Sequence, residues 1–170
     1  MPRPITPKGF GAPLGMYSHG MVAPGGEILV VAGQVGVDAT GRVAGEDVAS
    51  QTRQALANVG SVLEAGGCRW SDVVRLQTFL VSADDIPGFM RARQEVFPGY
   101  FPGGVYPPNT LLVVSRLVRA DLRVEIEAMA VRPARPAAPR RRGPAPAKAK
   151  AGARSKAAPR ASVVRRRGRG

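Results

Sequence analysis

The chain has 170 residues, 44% of them hydrophobic and 5% aromatic, with a formal net charge of +13; this is enough for one domain around a single core and too little for two. The charge is unevenly placed: residues 1–132 hold 12 Lys+Arg and 12 Asp+Glu, whereas 133–170 hold 13 Lys+Arg and no acid, so the total does not argue for a basic nucleic-acid-binding fold. One cysteine, Cys68, and one histidine, His19, exclude an intrachain disulfide and a multi-cysteine zinc site, and force any histidine-based catalytic arrangement through a single residue.

Met1 to Phe10 carries four prolines and glycines and no apolar run of signal-peptide length, and no segment approaches the ~18 to 20 apolar residues of a membrane span. The sequence therefore predicts a soluble, cytoplasmic protein with no membrane partner. Ile28 to Ala32, an apolar run between Gly25-Gly26 and Gly33, predicts a buried strand entered from a hairpin turn, with Tyr17 to Val22 as its partner. From the N-cap Asp47, the stripe Val48, Thr52, Ala55, Leu56, Val59, Val62 and Leu63 predicts a helix that Gly66-Gly67 terminates. Val74 to Val81 is rich in β-formers. Asp84 or Asp85 then caps a second helix that has Pro87 in its first turn, runs through Phe89, Met90 and Phe97 and stops at Pro98.

After a Pro/Gly loop come strands at Leu111 to Val114 and Leu122 to Val131, joined by a link with Arg116, Arg119 and Asp121. In the last strand a period of two puts Val124, Ile126, Ala128 and Ala130 on one face and Glu125, Glu127 and Met129 on the other. The order ββ, helix, β, helix, ββ predicts an α+β two-layer sandwich: a mostly antiparallel sheet with both helices on one face. The face left open must be polar or covered by another subunit. Leu111 to Val114, apolar at every position, favours burial on both faces and hence oligomerisation.

Residues 133–170 contain 11 Ala, 6 Pro, 4 Gly and 13 Lys or Arg, too few large apolar side chains to fold alone, and are expected to form a disordered tail beside a folded part at 1–132. Clusters at Arg140 to Arg142, Lys148 with Lys150 and Arg165 to Arg167 would suit an arm that follows phosphates without reading sequence. A solvated extension with no partner is the plainer reading.

Five strings carry a further signal: Gly15-Met16-Tyr17-Ser18-His19-Gly20; Val31-Ala32-Gly33-Gln34-Val35; Gln51-Thr52-Arg53-Gln54-Ala55-Leu56-Ala57-Asn58-Val59; Asp72-Val73-Val74; and Val124 to Val131. Together, in this order from about Leu14 to Val131, they resemble the Rid family of reactive intermediate deaminases, also called the YjgF group. The resemblance implies a chorismate-mutase-like α+β fold assembled as a homotrimer, with small-molecule pockets between subunits. It implies hydrolysis of reactive imines and enamines without a cofactor or metal: a positioned water and a proton donor suffice at an electrophilic imine carbon.

By the same resemblance, the glutamate that orients water falls on Glu125 and the ring near the pocket on Tyr17. Gly33, Asn109 and Leu111 fall at substrate-binding positions. Asn109, in Pro107-Pro108-Asn109-Thr110, stands where the deaminase branch has an arginine that clamps the substrate carboxylate, so the charged bidentate partner is missing. Leu111 replaces a small thiol and Met90 an asparagine, which makes the cleft more apolar.

Each of these residues has a plainer reading. An amphipathic strand presents carboxylates such as Glu125 to solvent as a matter of course. Glu127, roughly 6.5 to 7 Å further along the same face, would either raise the pKa of Glu125 in a dry site or pair with another subunit. His19 is a proton carrier or a hydrogen-bonded structural residue. Cys68 is a thiol of lowered pKa or a packing residue. Arg91 and Arg93 either replace the missing clamp or line a solvated helix face. At the level of function, imine hydrolysis stands beside a trimeric module that binds a small molecule without turning it over, and beside tethering to nucleic acid through the tail.

Overall fold

The computed structural model describes residues 1–133; the expected tail therefore lies, apart from Pro133, outside the described residues. Its strands are β1 (Arg3–Ile5), β2 (Gly20–Val22), β3 (Gly26–Val35), β4 (Val73–Leu80), β5 (Asn109–Val113) and β6 (Val124–Pro133), and its helices α1 (Val48–Ala65) and α2 (Ile86–Tyr100). The main sheet has the order β3-β6-β4-β5, with β6 antiparallel to both neighbours and β4 parallel to β5. Both helices pack on one face of this sheet, as the alternation in β6 predicted: Val124, Ile126, Ala128 and Ala130 are buried with Leu56, Val59 and Leu63 of α1 and Phe89 and Phe97 of α2. Among the described residues no helix is long and apolar enough to cross a membrane.

The first helix forms as its local signals require. Asp47 Oδ1 accepts from the Ser50 amide at 2.8 Å, and Gly67, at φ 72°, takes the left-handed turn that ends the helix. Its buried stripe includes Gln51, which is fully enclosed yet fully used. Its Nε2 donates to the carbonyls of Gly45 and Asp121, each at 2.9 Å, and its Oε1 accepts from the Arg123 amide at 2.8 Å. A buried amide with every group paired fixes one arrangement of the segments around it.

Four expectations need correction. The Tyr17 to Val22 segment does not form a hairpin with β3: Gly20–Val22 pairs antiparallel with Arg3–Ile5 in a separate two-stranded sheet, and β3 pairs with β6 instead. The apolar run in β3 is not buried on both faces, for Ile28 and Val30 are 66% and 68% exposed. Leu112 and Val113 of β5 are open in the single chain, which leaves the expected cover by another subunit uncontradicted. The second helix does not stop at Pro98 but continues to Tyr100, and the Phe101 amide still bonds the Phe97 carbonyl at 2.7 Å. The proline lies in the last turn, where it removes one donor without cutting a long helix. The Asp85 side chain, at the N-cap, bonds Arg123 Nη1 rather than its own helix, and Ser82 Oγ takes the Asp84 amide.

Candidate functional site

The open face of the sheet carries Glu125 opposite Phe79 and Glu127 opposite Gln77. Between Val31, opposite Ala128, and Gln34, opposite Ile126, two residues of β3 face one of β6. This β-bulge at Ala32-Gly33 places the Gly33 backbone directly against the Glu125 side chain: a Cβ at Gly33 would overlap Oε1 and lie 2.6 Å from Cδ. Gly33 is thus a cradle that only a residue without a side chain leaves vacant. Asn58 of α1 holds the strand end beyond the bulge, donating Nδ2 to the carbonyls of Val35 and Val37 at 3.0 and 2.9 Å. The half-buried Glu125 carboxylate has no hydrogen-bonding or ion-pair partner among the described residues.

Asn109 and Leu111 belong to the other side of the sheet. Asn109 pairs with buried Leu76 and accepts a 3.1 Å hydrogen bond from Thr78 Oγ1, while Leu111 packs against the core. One chain therefore does not bring Asn109 to Glu125: β4 and the thickness of the sheet separate them.

Tyr17 keeps company with the Asn109 side. Met16 accepts from Arg93 Nη2 at 2.6 Å, and Ser18 Oγ donates to the Tyr106 carbonyl at 2.6 Å, three residues before Asn109. His19 lies edge-on to Tyr17 and Phe10, with ring centroids 6.0 and 5.3 Å apart, and its Nε2 is 2.9 Å from the Gly11 carbonyl. The structure thus holds Glu125 with Gly33 on the open face and Asn109 on the helix-bearing face, while the residues on either side of Tyr17 are tied to Arg93 and Tyr106.

Arg93 corrects both readings offered for it. It is neither on a solvated face nor free to clamp: only 4% exposed, it lies over the Phe97 ring at 4.4 Å and the Phe89 ring at 5.4 Å. Burial pushes its pKa down to about 10. Arg91, by contrast, is exposed. Cys68 is a packing residue, buried in the core, and desolvation raises its pKa, with Asp72 adding to the rise. Among the described residues no three His, Cys, Asp or Glu side chains converge as a metal site would need. A groove of about 140 Å³ runs beside Glu127 between Val30, Arg75 and Met129. A wider one, about 640 Å³, opens by Trp70 and Tyr100 and is lined by none of the candidate site residues except Cys68.

The family model described as Endoribonuclease L-PSP matches residues 10–132. A solved structure from Yersinia pestis, described as a protein of unknown function of the conserved Rid family, superposes with a TM-score of 0.68 at 32% identity, covering 76% of this chain and 98% of that one. The chain belongs to the Rid family. Among curated Rid relatives, a RutC family protein of Pyrococcus horikoshii is 37% identical over 119 residues, 69% of this chain and 88% of that protein. The 2-iminobutanoate/2-iminopropanoate deaminase of Salmonella typhimurium is 33% identical over 133 residues, 78% of this chain and 99% of the enzyme. The bulge glycine, the α1 residues Gln51 and Asn58 and the open sheet face all sit within the 10–132 segment that the family model matches.

Proposed function

We propose that the protein hydrolyses the C=N bond of small imines, releasing ammonia, in sites completed when three copies assemble. The observation that carries this reading is the Glu125 carboxylate, seated over Gly33 with no partner of its own on a face otherwise rimmed by exposed Ile28 and Val30. Such a carboxylate can take a proton from a bound water as the oxygen adds to the imine carbon. Nitrogen needs two protons: the one held by Glu125 reaches it as the carbinolamine forms, and the hydroxyl proton follows as the C–N bond breaks, so ammonia leaves a carbonyl product. Tyr17 shapes the pocket or relays one of these protons.

Asn109 meets the substrate from the second copy. With its Oδ1 engaged by Thr78, it offers Nδ2 as a neutral donor, so the site favours small, weakly charged imines over amino-acid-derived carboxylates. The deaminase relatives support the reaction class. The chain's single histidine does not fit RNA cleavage by paired imidazoles. A test is ammonia release from imines generated in situ, comparing the full chain with Glu125→Ala. The expected loss is about 100-fold or more; equal rates would remove Glu125 from the reaction.

A further inference from the structure

Arg93 occupies a position that an apolar residue would fill at less cost. It lies on the buried stripe of α2 between Phe89 and Phe97, each one helical turn away, and has no carboxylate within ion-pairing distance among the described residues. A buried guanidinium without an anion is tolerated only where other contacts offset its desolvation. Here they are the faces of two phenylalanines, the Met16 carbonyl and a long contact to Met90 Sδ at 3.7 Å.

What this charge secures is specific. The segment Gly15 to His19 has little backbone pairing of its own; the Tyr17 amide reaches only the Gly15 carbonyl, at 2.9 Å. Arg93 holds it one residue before Tyr17, and Ser18 ties it to Tyr106 one residue after. Tyr106 in turn stacks on Phe97, centroids 5.8 Å apart, the ring that Arg93 lies over. The tyrosine-bearing segment and the segment leading to Asn109 therefore share one anchor.

We propose that Arg93 is a positioning residue that fixes Tyr17 and Asn109 relative to each other. The functional meaning of that role rests on the reading of those two residues as substrate contacts; the physical role does not. The experiment combines hydrogen exchange on the full chain with ammonia release. Arg93→Met keeps length and apolar contact with both rings while removing the donors, Arg93→Lys restores one donor, and Arg91→Met on the exposed face serves as control.

Arg93→Met is expected to accelerate exchange about tenfold or more in residues 15–19 and 104–109 while α1 and β6 stay as in the wild type. Arg93→Lys should recover much of that protection, and kcat/KM should follow the same order, falling about tenfold in Arg93→Met. Unchanged exchange in 15–19 would overturn the proposal, as would a uniform acceleration that includes α1 and β6, which marks general packing. A wild-type chain that releases no ammonia but shows the expected exchange pattern would fail the functional reading and uphold the role of Arg93.

Discussion

Replacing Gly33 by alanine separates catalysis from stability in this fold. The new Cβ would overlap Glu125 Oε1 and stand 2.6 and 2.8 Å from Cδ and Cγ, so the carboxylate must swing to another rotamer. The glutamate lies on the open face and has no hydrogen-bonding partner among the described residues to lose. Gly33 is not in the left-handed region, so alanine can adopt its backbone conformation, and the lower entropy of the unfolded chain favours the variant by about 0.4 to 1 kcal/mol. An off-rotamer side chain costs about 0.5 to 1.5 kcal/mol. The two nearly cancel, and the melting temperature should move by no more than about 4 °C.

Activity should respond differently, because displacing a water-orienting oxygen by about 1 Å costs on the order of 100-fold. Gly36→Ala is the contrasting case. Its Cβ would come within 2.5 Å of Gln51 Cβ and 2.6 Å of Gln51 Cα, which belong to a helix backbone that cannot rotate away, and overpacking of this kind costs about 1 to 3 kcal/mol. Calorimetry together with the ammonia-release assay reads both effects. Gly33→Ala with wild-type rates would refute the reasoning, since the carboxylate could then act from elsewhere.

Other outcomes follow from the same geometry. Asn109→Arg should raise kcat/KM for carboxylate-bearing imines by about tenfold or more, the usual worth of a charged hydrogen bond; no gain in steady-state assays would place the substrate away from that loop. Val30→Glu puts a charge on a residue 68% exposed in the single chain, so it should leave the fold intact while light scattering shows dissociation; an unchanged mass would mean that face is not the interface. Cys68 should label with a thiol reagent at pH 8 only as fast as the chain unfolds, because burial keeps the thiol protonated; stoichiometric labelling of the native protein within seconds would contradict its place in the core. The raised pKa also means that Cys68 supports the fold fully below the ordinary thiol value of about 8.5 and loses that contribution as pH climbs toward the folded value.

What could be read in the sequence was mostly local. The first helix announces itself through Asp47, its stripe and Gly66-Gly67, because caps and periodicity act within a few residues. The alternation of β6 gave both the buried face and the exposed acids for the same reason. Pairing was not legible: β2 joins β1 across 14 intervening residues, and the apparent turn at Gly25-Gly26 has no local feature that forbids a hairpin. The closeness of Gly33 to Glu125 depends on a bulge and a partner strand some ninety residues away, although the strings that hold both residues carried the family resemblance. Arg93 was legible: its spacing of four from Phe89 and from Phe97 places it on the buried stripe, although arginine is rarely buried without an ionic partner.

The proposed site is shared between copies, with Glu125 and Gly33 from one and Tyr17 and Asn109 from the next. Co-expression of Glu125→Ala with Tyr17→Ala chains, each inactive alone, tests this directly through the ammonia-release rate of the mixed oligomers. In a closed ring of three formed at random from equal amounts, about a quarter of the interfaces would join an intact glutamate to an intact tyrosine, so about a quarter of the wild-type rate should return. No recovery at any mixing ratio, with mixed oligomers verified by mass, would contradict it.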